Sequence, residues 1–315
     1  VDELRKKNDS MEGKRLHLTK GVHIVVPKDK LPVQQAVYFD VPDGRMIFAI
    51  PRGKITYVGT TDTDYFGDKN HVLTKKDDVQ YLLDATNNTF PTVDLTMDDV
   101  VSSWAGLRPL IHEEGKSASE LSRKDELFES ETGLISIAGG KLTGYRKMAE
   151  RVVNVVAKRF DEIDDKKDIS DVFTQKIPIG GKAFESPKEV NTYQDKVADQ
   201  LRQLGIQDSY QAWYLVSNYG KQSDQIISLM NDLSGQDHIL LKAECLYGLQ
   251  FELIQSLSDF FIRRTGRLYF DIESIQDSLT DVADFMQDHF QWTDAEKNEQ
   301  IQDMQREIME VSEFN

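Results

Sequence analysis

Over residues 21–61 the apolar positions fall in short β-branched and aromatic runs broken by turn residues, while beyond 186 they recur every three to four residues. The first pattern is that of strands and the second that of helices. The run GVHIVV at 21–26 stops at Pro27, which cannot extend a ladder. AVYF at 36–39 is followed by the turn VPDG at 41–44, then MIFAI at 46–50, the turn RGK at 52–54 and ITYVGTT at 55–61. This spacing predicts an antiparallel meander. Thr74 is expected to cap a helix carrying Val79, Leu82 and Leu83. Strand character returns over 100–106, which ends in Gly106, and ELF at 126–128 with LIS at 134–136 predicts a hairpin around ETG at 131–133.

The stretch LISIAGGKLTGYRK at 134–147 joins the two regimes. An uncharged β-branched run breaks at Gly139 and Gly140, and Met148, Val152, Val155 and Val156 then repeat at helical spacing. A strand, a glycine turn and a helix start bring several backbone N–H groups to one point. The helix dipole adds partial positive charge there and Lys141 a full one, so the point suits an anion or the electron-rich edge of a cofactor. The plainer reading is a tight connection in which the glycines only relieve crowding. The pattern alone leaves both open.

Past Phe160 a charge run at 161–168 and then KIPIGG at 176–181 mark a boundary, giving expected domains 1–168 and 169–315. Ser186-Pro187 opens a helix that Gly205 closes; Asp208 and Gly220 bracket the next; another ends near Gly266. Thr293 and Glu296 form a capping box ahead of the stripe Ile301, Met304, Ile308 and Val311, which reads as bundle core. The fold class expected is α+β, an antiparallel sheet with flanking helices, followed by an all-α C-terminal domain.

Composition narrows the function. The 315 residues are 39% hydrophobic and carry 38 Lys+Arg against 54 Asp+Glu, a net charge of −16. That balance speaks against a sequence-independent nucleic-acid binder. The single Cys245 excludes an internal disulfide and a thiolate metal site. No signal peptide and no span of ~20 apolar residues is present, so the expectation is a cytoplasmic or peripheral protein. There is no dinucleotide fingerprint, and Ile135 and Leu142 break a phosphate-loop reading of Gly140-Lys141. No H-E-x-x-H or G-x-S-x-G occurs, and the histidines lack metal-ligand spacing. What remains is a set of cations in an acidic chain: Arg108 after the strand that ends at Gly106, Lys141 at the helix start, Arg123 before the hairpin and His23 within a strand. Jointly they suggest an anionic substrate, although each alone has a plainer surface or core explanation.

The blocks SSWAGLRP at 102–109 and IAGGKLTGYRKMA at 137–149 resemble the C-terminal part of the FAD-dependent glycerol-3-phosphate dehydrogenases, within the D-amino-acid-oxidase-like flavoenzymes. KGVHIVVP at 20–27, VGTTDTD at 58–64 and DFFIRRT at 259–265 are similar to further family blocks in the same order. The resemblance implies that Arg108 grips substrate, that Lys141 lies near substrate and flavin, and that His23 and Arg123 belong to the substrate pocket. It implies that Gly139, Gly140, Lys141, Leu142 and Thr143 face the flavin pyrimidine ring, where negative charge gathers on reduction.

It implies oxidation of sn-glycerol 3-phosphate to dihydroxyacetone phosphate, with electrons passed to a quinone at the inner face of the membrane, and it admits a homo-oligomer. The family's oxygen-using oxidases carry a long insertion after the residue matching Arg108; the stretch here at 111–120 is short, which favours a dehydrogenase. The family's glycine-rich FAD-binding segment would lie before Val1, so the expectation is a chain that alone neither holds FAD nor turns over. Alternatives are a non-catalytic phosphometabolite-binding or interaction module, a glycerol-3-phosphate oxidase, and a flavoenzyme acting on an amine. For membrane attachment, the cluster Phe260, Phe261, Ile262, Arg263, Arg264, Arg267, Leu268 and Tyr269 reads either as an interfacial patch or, the favoured reading, as bundle core.

Overall fold

The computed structural model describes every residue except 12–13, 113–124, 164–171, 180–182 and 315. Helix α1 (Asp2–Lys7) precedes β1 (Leu16–Pro27), β2 (Val37–Asp40), β3 (Met46–Arg52), β4 (Ile55–Gly59) and β5 (Thr63–Asp64). Helix α2 (Lys76–Thr89), β6 (Ser102–Ile111) and the hairpin of β7 (Glu126–Glu129) and β8 (Ile135–Ala138) lead to α3 (Tyr145–Ile163). There follow α4 (Pro187–Gln203), α5 (Ser209–Tyr219), α6 (Ser223–Asp232), α7 (Ile239–Phe251), α8 (Arg267–Phe270), α9 (Ile272–Phe290) and α10 (Asp294–Ser312). The α+β expectation, antiparallel strands first and helices after, holds.

The chain divides into two compact units. The first comprises Val1–Val22, Thr61–Val72 and Ala105–Ile177. In it the start of β1 pairs antiparallel with β5, Thr19 opposite Asp64 and Lys20 opposite Thr63. The expected hairpin is present, with Glu126 opposite Ala138 and Glu129 opposite Ile135. Its turn closes through Ser130 N–H to the Leu134 carbonyl at 3.0 Å, and Gly133 takes the positive φ of 89° that the turn needs. Arg5 of α1 is buried, its guanidinium 4.1 Å from the Phe128 ring centre.

The second unit comprises His23–Thr60, Leu73–Trp104 and Pro178–Asn315. Here β2 pairs β3, β3 pairs β4, and β4 pairs the latter part of β1, all antiparallel. The meander therefore runs β2–β3–β4, and β1 closes on β4. Ile24, Val25 and Val26 are all fully buried, so β1 is covered on both faces as an interior strand requires. Val79, Leu82 and Leu83 bury one face of α2. That helix starts one residue later than expected: Lys75 is the N-cap, its N–H bonded to Asp78, and Thr74 is buried.

The helical part of this unit has two apolar clusters. One gathers Val197 and Leu201 of α4, Leu215 of α5, Ile226 and Met230 of α6 and Tyr247 of α7. The other gathers Leu241 and Cys245 of α7 with Phe260, Phe261, Leu268, Ile275, Met286 and Met304. Helix α7 thus serves both. The cluster weighed as a membrane patch is core: Phe260, Phe261 and Leu268 are fully buried. Among the described residues no helix is long and apolar enough to cross a membrane.

Candidate active site

In the first unit, β8 delivers the chain to Gly139 and Gly140, both at positive φ (78° and 82°), a conformation open to glycine and strained for other residues. At Gly140 a Cβ would also come within 2.6 Å of the Met148 sulfur. Lys141 then stands extended as N-cap of a 3₁₀ turn, Leu142–Gly144, that runs directly into α3. The expected helix start is there, entered through a tighter turn than an α-helix. No side chain caps it and no acidic residue lies in its first turn. Lys141, Leu142 and Thr143 are exposed, Leu142 at 90%. An uncapped helix start beside a cation presents N–H donors and positive charge outward.

Arg108 does not follow its strand. It lies inside β6, which continues through Gly106 and Pro109 to Ile111. β6 pairs with β1 alone among the described strands, and such an edge tolerates a residue without an N–H. The Arg108 side chain is one-quarter exposed, 25%. Its Nη1 donates to the Thr61 carbonyl at 3.0 Å and reaches the Asp62 carboxylate at 3.3 Å. The guanidinium lies against Gly21, where a Cβ would stand 2.3 Å from Nη2. Thr61 is buried; its hydroxyl accepts the Val22 N–H at 3.0 Å and donates to the Lys20 carbonyl at 3.4 Å. The segment that receives Arg108 is thereby fastened to β1.

In the second unit His23 sits in β1 opposite Gly59 of β4. Its ring packs on that glycine, where a Cβ would come within 2.2 Å of Cδ2, and stacks on Trp104 at 4.7 Å and 13°. Tyr57 meets it edge-on at 6.2 Å. Arg123 lies outside the described residues. Arg108 and Lys141 thus occur in one unit and His23 in the other. The sequence reading assigned no role to Asp62, Gly59 or Trp104. The acid-bearing block at 58–64 and the tryptophan ahead of Arg108 were visible as motifs, but their contacts arise only through strand pairing.

Two family models match the chain, one described as FAD dependent oxidoreductase over residues 1–146 and one as the C-terminal domain of alpha-glycerophosphate oxidase over residues 172–297. The first part of the chain, residues 1–146, is thus an FAD-dependent oxidoreductase match. An aerobic glycerol-3-phosphate dehydrogenase of Bacillus subtilis is 43% identical over 313 residues, 97% of this chain and 56% of that protein. One from Staphylococcus aureus is 40% identical over 323 aligned positions, covering 100% of this chain and 57% of its own. The X-ray structure of the glycerol-3-phosphate dehydrogenase from Bacillus halodurans complexed with FAD superposes with a TM-score of 0.84 at 39% identity, over 99% of this chain and 60% of that one. The chain therefore spans little more than half the length of those relatives. The start at Lys141–Thr143 fits the cofactor in kind: it is uncapped, cationic and free of first-turn acid, as the electron-rich edge of a reduced flavin demands.

Proposed function

We propose that this chain provides the substrate-gripping and helical parts of an FAD-dependent enzyme that oxidises sn-glycerol 3-phosphate to dihydroxyacetone phosphate. The observation that carries the reading is Arg108, a partly buried guanidinium pressed on Gly21 and oriented by Thr61 and Asp62. A planar fork held in one orientation suits a phosphate, which it can meet with two parallel hydrogen bonds. Arg108 would fix the phosphate and so orient C2. His23 would offer its ring edge to the substrate. Lys141 and the N–H groups of Leu142 and Thr143 would lie beside the flavin and steady negative charge developing there. Bound FAD would supply the acceptor for the C2 hydride.

The names of the relatives support a dehydrogenase, for which a quinone is the acceptor we propose, and the short stretch at 111–120 agrees with a dehydrogenase. The family description of residues 172–297 as an oxidase domain favours a second reading, oxygen as acceptor. Oxygen consumption against quinone reduction in the FAD-loaded enzyme separates the two.

The test of the main reading is Arg108→Lys, which keeps charge and loses the fork. It should weaken kcat/KM by one to two decades, about 1.5–3 kcal/mol, chiefly through KM, and the loss should persist at high salt. A modest KM effect that vanishes at high ionic strength would mark Arg108 as a steering charge only and end the assignment.

A further inference from the structure

We propose that the helical region serves the substrate site, by holding Trp104 as the positioning residue for His23. The inference rests on the reading of His23 as a substrate contact. It starts from three consecutive residues of β6. Ser102 and Ser103 are buried, at 0% and 1% exposure, and a buried hydroxyl without a partner is costly. Both partners belong to the helical region: Ser102 Oγ donates to the Leu268 carbonyl at 2.9 Å, and Ser103 Oγ to the Val311 carbonyl at 3.0 Å. Trp104 comes next, and its indole is met edge-on by Tyr269 at 5.6 Å and Phe270 at 5.7 Å. Phe270 is backed in turn by the Arg52 guanidinium, 4.3 Å from its ring centre. Thus α8 and α10 fix the strand by two hydrogen bonds and its tryptophan by two rings.

The consequence falls on His23. Its imidazole lies nearly parallel to that indole, 13° apart at 4.7 Å, and packs on Gly59, where any side chain would collide with it. A ring stacked in this way keeps one plane, and with it the direction in which its edge points. Aromatic pairs of this kind add stabilisation beyond area burial, enough to select one rotamer. Positioning matters because a misplacement of about 1 Å can cost a hundredfold in rate. The C-terminal helices therefore act in the reaction without contacting the substrate, through the path α8, Trp104, His23.

Two measurements on Trp104→Leu, Trp104→Phe, Phe270→Leu and His23→Gln test this. In the 315-residue chain, His23 ring-proton resonances, assigned by their loss in His23→Gln, report the indole ring current. In the FAD-loaded enzyme, kcat/KM for glycerol 3-phosphate reports function. We expect Trp104→Leu and Phe270→Leu both to move the His23 resonances. Trp104→Leu should lower kcat/KM about ten- to a hundredfold, Phe270→Leu several-fold, and Trp104→Phe should retain most of it. If Trp104→Leu and Phe270→Leu lower the melting temperature while His23 resonances and kcat/KM stay put, Trp104 is only packing and the inference fails. Phe270→Leu, two contacts removed, decides the matter should Trp104→Leu not fold. If His23→Gln itself leaves kcat/KM intact, the reading of His23 falls and the positioning role with it. That failure is distinct from the first, in which the His23→Gln defect remains.

Discussion

Lys141 opens a 3₁₀ turn that has no first-turn acid and no side-chain cap. A cation so placed acts on charge that appears during reaction more than on charge already present. Lys141→Met in the FAD-loaded enzyme should therefore lower kcat roughly tenfold while KM changes less. That is smaller than the loss typical of an enclosed oxyanion donor, because Lys141 is exposed and its turn still offers backbone N–H groups. The flavin midpoint potential should fall as well, since the reduced anion loses a stabilising charge; anaerobic spectroelectrochemistry reads this directly. An unchanged potential with a salt-sensitive KM would leave Lys141 a surface cation. Lys141 and its glycines were legible because strand, glycine pair and helix are adjacent in the chain. Asp62 was not, since it meets Arg108 across 46 positions and only after β1, β5 and β6 are in place.

At the scale of elements, local chemistry was the readable part. The capping box at α10 forms as expected, with Glu296 N–H donating to Thr293 Oγ1 at 3.2 Å and Thr293 N–H to Glu296 at 2.8 Å. A second box was overlooked: Thr96 and Asp99 close a 3₁₀ turn just before β6, a segment too short to show periodicity. There the Lys30 ammonium, bonded at 2.8 Å, and the Thr96 N–H hold the Asp99 carboxyl down at about 2. A folded value below the unfolded one, about 3.9, means that the unfolded chain binds the proton first on acidification. The stabilisation is fully present above pH ~4 and is lost as pH falls towards 2. Urea unfolding of wild type and Asp99→Asn should thus differ most at pH 7, differ less as pH falls below about 4, and converge only below about 2. Because Lys30 is half exposed, at 53%, salt should narrow the gap at pH 7. A difference constant with pH would remove the ionised carboxylate as its cause. The extension of β6 through Pro109 escaped the sequence for the opposite reason, since proline reads as a strand end unless its edge position is known.

At the scale of the whole molecule, the helical region was legible as core but its buried charge was not. Arg267 sits three residues beyond the exposed Arg264, in a stretch whose arginines look alike in sequence, yet its side chain is 5% exposed. The reason lies on α7, where Glu244, fully buried, accepts from Arg267 Nη2 at 2.5 Å and from the Tyr219 hydroxyl at 3.0 Å. Asp271 takes Arg267 Nη1 at 3.0 Å, and Tyr214 lies under the guanidinium at 4.7 Å. The arrangement ties α5, α7, α8 and the start of α9, and α7 contributes to both apolar clusters. Pairing two buried charges gains little over well-packed apolar residues, but removing one partner strands the other in a medium that cannot solvate it. Arg267→Met should therefore destabilise the chain by about 3–5 kcal/mol, read from the urea midpoint at constant slope. Adding Glu244→Gln removes the stranded charge while keeping an acceptor for Tyr219, so the double variant should recover much of the loss. Additive losses in the double variant would show that the cost came from packing of the Arg267 stem over Tyr214. A single-variant loss under about 1 kcal/mol would show that water reaches Glu244 when Arg267 is gone, and that the helices are tied by their apolar clusters alone.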